Sequence, residues 1–306
     1  MQILFEDTDL IVIDKPADMV VNQAKTAHGL TVQAWMAQRL IDQDLAKFEN
    51  RGANSRQLAQ LIDKQPDDRR FVSLVARSDW QKLVLADFDT KYGTPEEIFH
   101  QRWGLVHRLD KDTSGVLVLA KNPGALVNLL AQFKQRQTKK EYLALVHGQV
   151  EPDRGMINLP LGRSKSNFKK ISIQPEGRVA ETNYQVTQKL PPTDQVIDQI
   201  LDRVGETNNF TPAQLLDLRQ QMKKTYEQGF CWVRCQPKTG RMHQIRVHLS
   251  AIHHPLVGDS LYLGRKRLKL DRLWTQGQIL QAVKLEFRHP RNGEVMEVSV
   301  KGEMFI

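Results

Sequence analysis

Hydrophobic positions along this chain switch between strand-like and helix-like periods. Leu10-Ile11-Val12-Ile13 is a short unbroken apolar run closed by Asp14-Lys15-Pro16, which predicts a buried strand ended by a proline turn. From Thr31 to Leu40 the apolar positions recur at helical spacing, with Thr31 where an N-cap belongs. The stretch from about Gln43 to His100 mixes polar runs with helix-like pieces and predicts no definite element. Order returns at Gly104. Val116-Leu117-Val118-Leu119-Ala120 predicts a fully buried strand, Pro123 to Arg136 a helix, Lys140 to Val146 a strand of mixed exposure, and Glu181 to Val186 another strand. Pro191 to Gln228 predicts a helical hairpin, its second helix opened by Thr211-Pro212 and closed by Gly229. Phe230 to Cys235 predicts a strand and His243 to His253 a helix. Val283–Phe287 and Val295–Val300 flank the turn-rich His289-Pro290-Arg291-Asn292-Gly293, the pattern of a β-hairpin. Strands outnumber helices and often follow one another. The expected fold is therefore α+β, with a mixed, largely antiparallel sheet and flanking helices. There is no internal repeat and no glycine-rich strand-to-helix loop, which argues against a dinucleotide or P-loop site.

Composition narrows the partners. The 306 residues carry 44 Lys and Arg against 35 Asp and Glu, a formal net charge of +9. That balance favours a polyanion, nucleic acid before an acidic membrane surface. No apolar run approaches the roughly 18–20 residues of a membrane span, and the first residues lack the pattern of a secretory signal, so a transporter is excluded. The two cysteines, Cys231 and Cys235, share one predicted strand. Four residues of strand separate them by roughly 13 Å, too far for a disulfide. A thiol-keeping compartment, the cytoplasm, is expected.

Four polar clusters are able to carry chemistry. In His107-Arg108-Leu109-Asp110-Lys111-Asp112, a carboxylate flanked by cations precedes a buried strand. Asp110 is either a loop-capping residue or a catalytic carboxylate held ionised by its neighbours. In Lys238 to Leu249, Arg241 and His243 fall at the positive end of a helix, which suits phosphate. Arg246, between apolar neighbours, would need an anionic partner if buried; the alternative is an amphipathic helix with a solvated basic face. In Thr138 to Tyr142, Lys140 and Tyr142 share one strand face and Glu141 takes the other. Tyr142 is then either core or a platform for an extruded base. The run Gly162 to Lys170 offers Arg163, Lys165, Lys169 and Lys170 around Phe168, either a solvated loop or phosphate contacts. His243, His248 and His253 are spaced by five, which does not share a helix face, and no cysteine or second acid completes a zinc set, so no metal is expected.

In combination and in order, these segments resemble the RluA-type RNA pseudouridine synthases. The match covers Gly104-Leu105-Val106-His107-Arg108-Leu109-Asp110-Lys111-Asp112-Thr113-Ser114-Gly115, then Lys139 to Ala144, Thr239 to Leu249 and His254-Pro255-Leu256-Val257-Gly258-Asp259. The opening Glu6 to Pro16 and the closing Phe287 to Arg291 fit as well. The resemblance implies a sheet crossed by a central active-site cleft and isomerisation of a uridine already within RNA, with no metal or organic cofactor. It implies Asp110 as the essential carboxylate. Attack on the anomeric carbon and removal of the neighbouring sugar proton are both open to that residue. Tyr142 would lie against the uracil and assist removal of the ring proton. Arg246 would ion-pair with Asp110. Arg108 would fill the space left by the extruded nucleotide, with His107 beside it.

The expected substrate is a loop or stem-loop of RNA, because extruding a base costs least where pairing is weakest; ribosomal and transfer RNA are both open. The resemblance further implies a monomer and a single catalytic domain over 1–306, opening without the small S4-type RNA-binding module that many relatives carry. The stretches 43–100 and 191–228 are longer than the usual pattern. The second brings Arg219, Lys223 and Lys224, expected to help choose the RNA or else to be surface decoration. Two other readings compete with the isomerase. An RNA chaperone on the same fold would not require Asp110, Tyr142 and Arg246 together. A nucleoside hydrolase would want a second carboxylate, for which Asp112 is the nearest candidate.

Overall fold

Apolar runs, caps and turn glycines set most of the elements in the computed structural model, which describes residues 1–23, 29–49, 79–207 and 210–302. Much of the stretch 43–100 therefore lies outside the described residues. The chain divides into two compact units.

The first unit comprises Met1–Lys111, Val116–Thr138 and Glu286–Val298. Its strands β1 (Gln2–Glu6) and β2 (Leu10–Lys15) pair antiparallel, and β2 is buried as its apolar run predicts. Next in order comes β3 (Ser114–Ala120), buried throughout save its first residue. Helix α1 (Val32–Glu49) is capped by Thr31, whose hydroxyl accepts the amide of Ala34 at 3.1 Å. Helix α2 (Pro95–Arg102) opens with a complete capping box of Thr94 and Glu97. Helix α3 (Pro123–Lys134) is capped by Asn122, which also donates to the buried Asp9 at 2.9 Å. The C-terminal hairpin falls where its turn residues predict, between β10 (Leu280–Arg288) and β11 (Val295–Ser299). From that turn Arg291 forks onto Asp9 at 2.6 and 2.7 Å and reaches Asp79 at 2.7 Å.

The second unit comprises Asp112–Gly115, Lys139–Leu285 and Ser299–Ile306. Its strands are β4 (Lys139–His147), β5 (Arg154–Asn158), β8 (Glu181–Leu190), β9 (Phe230–Pro237) and the start of β10, ordered β10-β4-β9-β8-β5. The pairs β4–β9, β8–β9 and β5–β8 are antiparallel, whereas Gln281 and Ala282 pair in parallel with Ser114 and Gly115. The sheet is thus mixed and mostly antiparallel. A small hairpin of β6 (Leu161–Arg163) and β7 (Ile171–Ile173) stands apart from it.

The inner half of β4 departs from the mixed exposure that its sequence suggests, for Leu143 to His147 are buried on both faces. Helices α4 (Asp194–Thr207) and α5 (Pro212–Thr225) explain this. Val196, Ile197, Ile200, Leu218, Met222 and Tyr226 pack on Leu143, Leu145, Phe230 and Trp232. On the opposite face Ala144, Val146, Cys231 and Val233 meet Ile245 and Leu249 of α6 (Gln244–Ala251). The hairpin over 191–228 is therefore a core layer, not surface decoration. Two of the three cations expected to read RNA are engaged within it: Arg219 pairs with Asp198, and Lys223 with Asp194. Both cysteines are buried and unpaired, and burial pushes the Cys235 thiol up to about 12.

Candidate active site

Asp110 sits on a loop of the first unit fixed by its own backbone. Trp103 and Gly104 take successive left-handed conformations, φ 47° and 80°. A Cβ at Gly104 would lie 2.1 Å from the carbonyl oxygen of Ala120, so only glycine fits. The Gly104 carbonyl accepts the amide of Ala120 at 2.9 Å, and Leu105 bridges to Leu119. Val106 and Leu109 are buried anchors. Lys15, at the end of β2, is completely buried, and its ammonium donates to the carbonyls of Pro16, Met19 and Lys111 at 2.8, 2.9 and 2.9 Å. It thereby grips the chain immediately after Asp110. Lys111 reaches Asp18 across the surface at 2.7 Å.

Of the site residues expected here, Asp110 is half-buried and Arg108 exposed. Arg108 makes no side-chain hydrogen bond or ion pair among the described residues. His107, expected to face RNA, is half-buried. Its Nε2 accepts the amide of Val118 at 3.3 Å, and its ring stacks on Phe133 at 4.5 Å between centroids.

Tyr142, Arg246 and the remaining candidates belong to the second unit. Tyr142 is half-buried opposite Cys235, at the margin of the cluster that contains Ile245 and Leu249. Glu141 takes the other strand face, as alternation requires, and receives Arg234 at 2.7 Å and Gln236 at 3.0 Å. Helix α6 has no solvated basic face: Gln244 to Leu249 are all buried. Its buried polar side chains find partners instead. Gln244 accepts from Thr239 at 2.7 Å and donates to the carbonyl of Glu181 at 2.9 Å. His248 donates to the carbonyl of Leu159 at 3.0 Å and lies 2.9 Å from the Thr182 hydroxyl. Burial holds its imidazole below the usual range.

Arg246 meets the anionic partner that its burial demands. Its Nε and Nη2 donate to the two oxygens of Asp259, each at 2.8 Å. Its guanidinium also lies 5.2 Å from the ring centre of Tyr262. The same ring has the Lys170 ammonium at 5.9 Å, and its hydroxyl is 2.9 Å from Nδ1 of His243. Lys170 and His243 are thus drawn toward Arg246 through one tyrosine.

Arg163, Lys165 and Lys169 are exposed, as is Phe168 at 77%. A shallow groove of about 250 Å³ runs beside them, lined by Ser164, Lys170, Ile171, Val247, Ser250 and Tyr262. Arg241 is half-buried, and its Nε donates to the carbonyl of Val179 at 3.2 Å.

Three groups escaped sequence reasoning. Lys15 and Asp259 lie within matching segments, but nothing in their spacing names what they hold. Helix α7 (Arg265–Asp271) exposes Arg265, Lys266 and Lys269, a run of like charge visible in the sequence. Among the described residues one cluster has metal-ligand spacing, Asp7, Asp9 and His289. Its acceptors are already occupied, Asp9 by Arg291 and Asn122, Asp7 by His289 and two backbone amides.

A family model described as RNA pseudouridylate synthase matches residues 9–251. Ribosomal large subunit pseudouridine synthase D of Nitrosomonas europaea is 31% identical, with 97% of this chain and 60% of that protein aligned. Ribosomal large subunit pseudouridine synthase C of Vibrio parahaemolyticus is 33% identical, with 65% of this chain and 51% of that protein aligned. The chain thus spans between half and three-fifths of the length of these relatives. Among solved structures, human RNA pseudouridylate synthase domain containing 1 has a TM-score of 0.57 at 21% identity, over 98% of this chain and 82% of that one. Domain containing 4 of the same human group has a TM-score of 0.53 at 20% identity, over 99% and 89%. Those two likenesses establish the fold, and the family match establishes descent: this chain belongs to the RNA pseudouridylate synthase family.

Proposed function

We propose that this chain is a cytoplasmic RNA pseudouridine synthase that converts uridines within structured RNA, acting without metal or organic cofactor and as a monomer. The reaction breaks the bond from uracil N1 to the sugar and makes one from uracil C5. N1 gains a proton and C5 loses one, so atoms and electrons balance with no outside reactant. In this reading Asp110 is the essential carboxylate at the sugar. Tyr142 lies against the uracil and assists removal of its ring proton. Arg246 ion-pairs with Asp110, and Arg108 fills the gap left by the extruded nucleotide. Arg163, Lys165, Lys169, Lys170, Arg241 and His243 contact RNA phosphates, and His107 lies beside Arg108 on the RNA side of the Asp110 loop. The names of two relatives favour ribosomal large-subunit RNA over transfer RNA as substrate.

The observation that carries the proposal is the unbroken segment Gly104–Gly115, inside a family match running from residue 9 to 251. Release of tritium from RNA labelled at uracil C5 tests it. Wild type is expected to release tritium while the RNA keeps its base. Retained RNA without release would make the chain a binding protein, and free uracil would make it a hydrolase. The basic loop is tested by salt. Lys165→Ala with Lys169→Ala should reduce the slope of log affinity against log salt by roughly 1.4–1.8, about 0.7–0.9 per phosphate contact. An unchanged slope would remove those two residues from the interface.

A further inference from the structure

Asp259 belongs to no role assigned above, yet it is among the most constrained side chains of the second unit. It is completely buried, and both of its oxygens face the Arg246 fork. Its Oδ1 also accepts the amides of Leu261 at 2.9 Å and Tyr262 at 3.1 Å. The carboxylate is therefore fixed by backbone before it meets the guanidinium. The preceding residue is fixed as well. The Gly258 amide donates to Asp271 at 2.7 Å, and a Cβ at Gly258 would lie 2.1 Å from the carbonyl oxygen of Gly277. Asp271 is itself fully buried, receives the Tyr226 hydroxyl at 2.8 Å, and lies 2.9 Å from Nε2 of His147. A continuous set of hydrogen bonds thus runs from the end of the helical hairpin through Asp271 and the Gly258 turn to Asp259 and Arg246.

We infer that Asp259 is a positioning residue for the isomerisation, fixing the plane and rotamer of Arg246. The inference rests on the reading of Arg246 as catalytic. A buried ion pair gives little net stability, because desolvating two charges offsets most of their attraction. What a two-point fork does supply is orientation: it determines both the position and the plane of a guanidinium. This fork uses Nε and Nη2, which sets the direction of Nη1. A charge acting on a reacting carboxylate must be placed to within a fraction of an ångström, and misplacement by 1 Å is able to cost about 10²-fold in rate.

Asp259→Asn tests this. The substitution keeps the shape and the acceptor for the Leu261 and Tyr262 amides while turning an NH2 group toward the arginine. Turnover is read by tritium release, affinity by RNA titration, and folding by thermal denaturation. The expected result is a loss in kcat of about 100-fold, with KM and RNA affinity within about threefold of wild type. In a double-mutant cycle with Arg246→Lys, which already destroys the fork, the second substitution should cost less than about threefold. Asp259→Glu, which keeps the charge but displaces it by one methylene, should also lose kcat; it supplies the answer if the Asn variant does not fold. Wild-type kcat in a folded Asp259 variant, alongside an inactive Arg246→Ala, would overturn the positioning role alone. So would a kcat penalty that adds in full to that of Arg246→Lys. Normal turnover by Arg246→Ala would overturn the catalytic reading of Arg246 and the inference with it.

Discussion

The loop that carries Asp110 and the helix that carries Arg246 are held by different means. Beside the buried side chains of Val106 and Leu109, the loop depends on its backbone: two left-handed residues, a ladder bond from Gly104 to Ala120, and a buried lysine that caps the Lys111 carbonyl. The helix is buried from Gln244 to Leu249 and held through side chains, with Asp259 as the anchor of Arg246 and Asp271 fixing the turn that presents Asp259. Backbone support tolerates exchange of most side chains but not of the glycine. Side-chain support tolerates backbone variation but not the loss of one polar atom. A loop without regular secondary structure must fix its own dihedrals, whereas a buried helix has its backbone paired already and must find partners for its polar side chains.

The largest effect should follow a change at the loop's backbone. Gly104→Ala places a methyl group 2.1 Å from a carbonyl oxygen at φ 80°. It should cost at least about 2 kcal/mol in urea denaturation and remove turnover. Full stability in that variant would break the claim that backbone holds the loop. A smaller effect should follow one atom's removal at Asp271, which fixes the turn before Asp259. Tyr226→Phe leaves the buried Asp271 carboxylate short of a donor at 2.8 Å and should cost about 1–3 kcal/mol in the same assay. Burial and the Asp271 charge hold that phenol above the usual tyrosine range, so it stays protonated and the loss should not vary between pH 6 and 9.

The smallest effect separates the loop from the ion pairs beside it. Lys121, which directly follows β3, donates to Glu6 at 2.7 Å. Burial alone would raise the Glu6 carboxyl, but hydrogen bonds from Lys121, Arg39 and Gln43 outweigh it and bring it down to about 2. Its contribution to stability is therefore present above about pH 4.5 and is lost as pH falls toward 2. Glu6→Gln should flatten stability against pH in that acidic window and leave it unchanged at pH 7–8 apart from a constant offset. An unchanged acid limb would show that other groups set it.

Much of this was legible in the sequence, and what was missed has a physical pattern. Unbroken apolar runs announced β2 and β3, and Thr31 and Thr211 announced their helices, because burial and capping act locally. The order of motifs announced the family. Mixed exposure holds for the outer half of β4, while its inner half is buried on both faces because a helical hairpin distant in sequence covers the second. Burial of Arg246 was foreseen as demanding an anion, but not that Asp259 answers the demand: thirteen residues of helix and loop must fold before the two meet. Lys15 donates to the backbone carbonyls of Pro16, Met19 and Lys111, which no side-chain pattern encodes.

Pseudouridine in nucleoside digests of ribosomal RNA, after incubation with wild type or with Asp110→Asn, tests the central claim most directly. The account predicts conversion of uridine by wild type with no loss of base, and none above background by the variant, which should bind RNA within severalfold of wild type. Conversion by Asp110→Asn at the wild-type rate would contradict it, as would RNA that wild type binds and never changes.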